Sequence, residues 1–167
     1  MAKKIWKSKA YKNTKVSYVA SQIDITNLLN KNGIQEIQHS SYYDKIQIIF
    51  LKELVFEGKK NKIGVKIVIP QVEEKNKNQL YRALFYYLKS KFESLTFGFY
   101  EEYNEAFVKE FLPYVITDKA GRTVSDIILP RLNSSYLSSK AGEQLYLTEA
   151  KEDVEFKSTE GEDEKDI

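Results

Sequence analysis

Cations set among aromatic rings are the residues of this sequence whose types and spacing suit chemistry. Lys3, Lys4, Lys7, Lys9 and Lys12 surround Trp6 and Tyr11 near the start of the chain. Lys59, Lys60 and Lys62 crowd one short segment, and Arg82, Tyr86 and Lys89 share one side of a helix by their four- and three-residue steps. Single-stranded nucleic acid needs this combination, because bases stack on rings while ammonium groups follow the phosphates. Tyr42 and Tyr43, close to the single histidine His39, are of the same kind. The plainer reading of every one of these residues is solvated lysine or half-buried tyrosine on a helix surface. Of the 26 basic residues only Arg82, Arg122 and Arg131 are arginines. Lysine is a point charge suited to phosphate, whereas bidentate reading of guanine uses arginine, so binding indifferent to base sequence is favoured.

A second set pairs carboxylates with a lysine. Val55-Phe56-Glu57-Gly58-Lys59 reads as a strand ending in E-x-K, with Asp44 upstream. Metal-dependent nucleases of the PD-(D/E)xK type place two carboxylates and a lysine in this way, so that a divalent ion activates water at a phosphate. A charged hairpin turn accounts for the same residues without chemistry, and Glu73-Glu74-Lys75 shows how readily such triplets arise in a charged chain.

Composition removes most other chemistry. With no cysteine there is no disulfide, zinc-thiolate site, iron–sulfur cluster or thiol nucleophile, and one histidine excludes H-E-x-x-H centres. Neither G-x-x-x-x-G-K-[ST] nor G-x-G-x-x-G occurs, and Ser40 and Ser41 beside His39 form no nucleophile elbow, so His39 reads as a strand-end residue. No cofactor or metal is expected. The opening Met1–Lys7 lacks an apolar run of the secretory kind, and the uncharged stretch Ile46–Leu51 is far below the ~18 residues of a spanning helix. The expectation is a soluble, cytoplasmic protein that needs no membrane, 167 residues long with 42% hydrophobic and 30% charged side chains.

The elements that position these residues follow from periodicity. Val16 to Asn32 reads as a helix with Ile23, Ile25, Leu28 and Leu29 on its buried side, stopped at Gly33. Ile34 to His39 is a loose strand. Lys45–Phe56 and Ile63–Ile69 are strands rich in β-branched residues, joined through a charged turn over Glu57–Lys62 as an antiparallel hairpin. Asn78 to Thr96 is the strongest helix, with Leu80, Leu84, Leu88, Phe92 and Leu95 in steps of three and four. A further helix runs from Tyr100 to Leu112, and Val115–Thr117 pairs with Arg122–Val124 as a second hairpin. Ser125 caps a short segment ending at Pro130, a polar loop covers Ser134–Gly142, and Leu145–Leu147 is a last strand. The fold class is α+β: an antiparallel sheet of about four to six strands with two main helices packed on one face. The chain divides into a basic arm (1–15), one α+β domain (16–148) and an acidic tail (149–167).

Charge is distributed unevenly. Residues 1–15 hold six lysines and no acid, whereas residues 149–167 hold nine acids and three lysines, although the net charge is only +2. Lys157 to Ile167 has almost no apolar content and is expected to be disordered. A basic body with an acidic tail suits a protein that meets a polyanion and carries a competing anion of its own.

This layout, ending in Asp163-Glu164-Lys165-Asp166-Ile167, resembles that of phage and bacterial single-stranded DNA-binding proteins. The resemblance implies a tail that competes with DNA and recruits a replication partner. The body departs from that family's five-stranded barrel, since two sizeable helices follow the central strands; helix, antiparallel strands and helix are loosely similar to single-strand annealing proteins. The function expected is non-enzymatic, largely sequence-independent binding of single-stranded DNA or RNA, as a viral or mobile-element replication or recombination accessory. The alternative is a protein-interaction or structural module forming a homo-oligomer through Phe97, Phe99, Tyr100 and Tyr103. A metal-dependent nuclease is the minor alternative.

Overall fold

The computed structural model describes residues 9–42, 45–70, 73–97 and 101–138, with backbone alone at 70 and 133–138. The chain divides into two units, Met1–Ile127 and Ile128–Ile167. In chain order the elements are α1 (Tyr18–Lys31), β1 (Glu36–Ser41), β2 (Lys45–Phe56), β3 (Lys59–Pro70), α2 (Glu74–Ser94), α3 (Tyr103–Phe111), a 3-10 turn (Leu112–Tyr114) and α4 (Val124–Ser138).

The sheet among the described residues has three strands in the order β1-β2-β3, both pairs antiparallel, and not the four to six expected. The second hairpin shrinks to a single bridge, Ile116 with Thr123, while Val115 makes a single bridge to Val65 of β3. Thr123 is committed to starting α4 instead. Its amide donates to Asp126 Oδ2 (2.8 Å) while the Asp126 amide donates to Thr123 Oγ1 (3.3 Å), a reciprocal capping box. The cap therefore falls at Thr123 rather than Ser125. Helix α4 then continues through Pro130, which withdraws one donor without ending it, and covers residues 134–138 that read as loop. The expected strand at Leu145–Leu147 and the acidic tail lie outside the described residues.

Alternation along the long hairpin builds the core. Ile46, Ile48, Phe50 and Leu54 of β2 and Val65 and Ile67 of β3 lie on one face and are buried. Helices α1, α2 and α3 supply the facing side chains, among them Ile25, Leu29, Leu84, Leu88, Phe107 and Phe111. Phe111 is the hub: its ring meets Phe50 edge-on (5.8 Å), Phe92 (5.3 Å) and Phe107 (4.7 Å). In α2 the buried set includes Leu80, Leu84, Leu88 and Phe92, following its apolar period. Helix α1 corrects one expectation. It buries Ser21, Ile25 and Leu29 at four-residue steps, so Ile23, turned to the far side, stays 56% exposed. Gln22 and Thr26 reach neighbouring elements, and Ser17 caps the helix by accepting from Ala20 N (3.1 Å).

Candidate nucleic-acid interface

The outward side of α2 carries Arg82 and Tyr86 one turn apart. Arg82 Nη1 donates to Asp24 Oδ2 of α1 at 2.7 Å, and Nη2 lies 3.4 Å from Tyr86 Oη. Its guanidinium stands 4.5 Å from the Phe85 centroid and 4.8 Å from that of Tyr86. The hydrogen bonds to Tyr86 and then Asp24 raise its affinity for its proton further, so it is cationic at every accessible pH.

Against Tyr86 lies Tyr11, with ring centroids 5.0 Å apart and planes 10° from parallel. Tyr11 sits on a turn of the N-terminal segment in which Lys12 N donates to Lys9 O and Thr14 N to Tyr11 O. Its φ of 57° is left-handed, a conformation that costs an L-residue roughly 1–2 kcal/mol. The buried Gln79 of α2 ties the turn down by donating Nε2 to Ala10 O at 2.6 Å. Lys9 and Lys12 are exposed on either side of Tyr11, with no acidic partner among the described residues. The structure therefore brings together Lys9, Tyr11, Lys12, Arg82 and Tyr86 from two distant stretches of chain. Lys89, one turn further along α2, pairs with Glu93 at 3.5 Å. Lys3, Lys4, Trp6 and Lys7 lie outside the described residues.

The hairpin lysines are placed elsewhere. Glu57 and Gly58 alone form the turn, at φ 50° and 75°, so the six-residue turn expected from sequence is a two-residue one and β3 begins at Lys59. Two successive positive-φ residues match the right-handed twist of the strands, which lets pairing run to the tip. Lys60 bonds Glu53 at 2.9 Å and Lys62 bonds Glu36 of β1 at 2.5 Å. These pairs lower the Glu53 pKa and raise that of Lys62. Lys59, with no acidic partner among the described residues, lies opposite Phe56, which is 37% exposed, next to Val55 at 44%. This end of the hairpin touches α3, where Asn104 Nδ2 donates to Val55 O (2.7 Å). The exposed Phe56 is a ring beside a cation that sequence reading missed; its place directly before the Glu57-Gly58 turn was the available signal.

Other candidates resolve differently. Glu57 is exposed at the turn, Asp44 lies outside the described residues, and no group of three metal-ligating side chains occurs among the described ones. His39 lies inside β1, not at its end. Its Nε2 is 3.2 Å from Thr26 Oγ1, its Nδ1 is buried with no hydrogen-bond partner among the described residues, and burial lowers its pKa. Tyr42 is 48% exposed with Lys45 over its ring at 5.6 Å, and Tyr43 lies outside the described residues. Phe97 is 70% exposed, Tyr103 holds the Lys52 ammonium 5.5 Å from its centroid, and Phe99 and Tyr100 lie outside the described residues. A groove of about 230 Å³ runs between β3 and α2, lined by Ile67, Ile69, Leu80, Leu84, Tyr87 and Tyr114 among others. No helix among the described residues is long and apolar enough to cross a membrane.

Compared with models of protein families, with curated proteins and with solved structures, the chain matches none.

Proposed function

We propose that the protein binds single-stranded nucleic acid without reading its sequence. The observation that carries this reading is the convergence of Tyr11, Tyr86 and Arg82 with Lys9 and Lys12, which have no acidic partner among the described residues. Exposed rings give the bases a stacking platform, and cations on the same turn meet the phosphates. Lys59 beside Phe56 at the hairpin tip offers a smaller second contact of the same chemistry. The acidic residues of 149–167 act as a competing anion that occupies the basic surface when nucleic acid is absent and is released to a protein partner when it binds. The resemblance in charge layout supports a role as a replication or recombination accessory of a virus or mobile element, acting without catalysis.

The test is fluorescence anisotropy of a labelled ~30-nucleotide strand across a salt series. The logarithm of affinity should fall with the logarithm of salt at about −0.7 per phosphate neutralised. Replacing the nine tail acids by their amides in the full-length chain should tighten binding by ~10-fold or more at low salt. Unchanged affinity removes the competitor role, and no binding at low salt removes the nucleic-acid reading.

A second reading is self-association. Ile128, Leu129 and Leu132 of α4 are 44%, 56% and 39% exposed, an apolar run of the kind that subunit contacts cover. Sedimentation distinguishes the two: an oligomer of fixed size, indifferent to added oligonucleotide, supports this second reading.

A further inference from the structure

We propose that Tyr11 and Tyr86 are the two jaws of a clamp that admits one unpaired base between their rings. The inference rests on the nucleic-acid reading above and specifies its central site. The rings are already within 10° of parallel, so taking a flat ligand between them needs separation and no rotation. The separation required is roughly 3.4 Å, the thickness of one stacked base. Opening loses one ring–ring contact and gains two ring–base contacts, so an aromatic base drives it and a sugar-phosphate chain does not.

One jaw is fixed and the other is built to move. Tyr86 belongs to the 21-residue helix α2, and its ring is braced by the Phe85 edge (5.2 Å) and by the Arg82 guanidinium. Tyr11 stands on a turn held together by Lys12 N donating to Lys9 O and Thr14 N to Tyr11 O, bonds within residues 9–14 that are kept if the turn swings away as a unit. Gln79, donating to Ala10 O, is one tether across which it would swing. Lys9 and Lys12 travel with the moving jaw, which places cations near the phosphates on both sides of the inserted base.

The experiment uses the full-length protein and a strand of about 15 nucleotides that is abasic throughout except for one central 2-aminopurine, so that only this base can enter the clamp. Anisotropy of an end-labelled copy reads binding in parallel. The clamp predicts severalfold quenching of 2-aminopurine on binding, retained in Tyr11→Phe. Quenching should be largely lost in Tyr11→Leu and in Tyr86→Leu alike, with the double variant no worse than either single one. Far-UV circular dichroism confirms that each variant is folded, and Tyr11→Leu, at an exposed turn, is the variant least exposed to misfolding. Binding with quenching lost in Tyr86→Leu but kept in Tyr11→Leu makes Tyr86 a one-sided platform; the clamp is overturned and the nucleic-acid reading stands. Binding without quenching in the wild-type protein also overturns the clamp alone. Absence of binding overturns both.

Discussion

Arg82 on α2 reaches Asp24 on α1, 58 positions earlier in the chain, with Nη1 and Oδ2 2.7 Å apart. The Arg82 side chain is 15% exposed and that of Asp24 42%, so the pair is partly screened by water while fixing the ring-bearing helix to its neighbour. It also neutralises a cation that would otherwise serve the proposed interface.

Asp24→Asn is expected to act in opposite directions on stability and binding. Removing the carboxylate should cost about 1 kcal/mol, less than the ~1.5–3 kcal/mol of a buried charged hydrogen bond because Asp24 is partly solvated. The freed Arg82 should strengthen binding of single-stranded DNA at low salt by ~3-fold or more. Urea denaturation and anisotropy on one preparation check both, and a variant that loses stability without gaining affinity would place Arg82 outside the interface.

The Glu57-Gly58 turn gives a test free of packing effects, since nothing lies within 4 Å of a Cβ built on Gly58. Gly58→Ala, at φ 75°, should therefore cost about 1 kcal/mol through backbone conformation alone. Glu57→Asn places a residue that tolerates positive φ at the first turn position and should stabilise by a few tenths of a kcal/mol or more. The midpoint of urea unfolding should move down in the first and up in the second, with the slope unchanged.

Tyr114 is expected to contribute to a loss of stability at alkaline pH. Burial, and then the 2.6 Å hydrogen bond between its hydroxyl and that of Tyr87, push its pKa up to about 12. The folded state thus holds the phenol neutral where the unfolded chain, near 10, releases its proton. Its stabilising contribution is complete below about pH 10, falls as pH rises from there, and is gone above about 12. Tyr114→Phe should show a shallower loss of thermal stability across that window than the wild-type protein, whose other tyrosines and lysines serve as the shared background.

Individual elements were legible where the pattern is local. The four-residue steps of Leu80, Leu84, Leu88 and Phe92 define the buried side of α2, and alternation from Ile63 to Ile69 defines that of β3. Reading failed where two local signals compete. Arg122-Thr123-Val124 carries β-branched residues but also a capping box, and the cap wins because it satisfies donors that a short edge strand would leave open. Ile23 misled because it is apolar yet lies on the far side of α1 from Ile25, and helix phase, not hydrophobicity, selects what is buried.

The sequence by itself determined the long antiparallel hairpin, the helix that follows it, the separation of lysine-rich and acid-rich ends, and the kinds of residue an interface would use. The tertiary structure alone decided which of those residues meet. Tyr11 stacks on Tyr86 and Arg82 binds Asp24 because α1 and the N-terminal turn dock on one side of α2, while Lys60 and Lys62 are taken up by Glu53 and Glu36 across the sheet. The physical reason is range. Periodicity records which face of an element avoids water, but register and docking between distant elements depend on how whole surfaces pack, and no short window of sequence contains both partners.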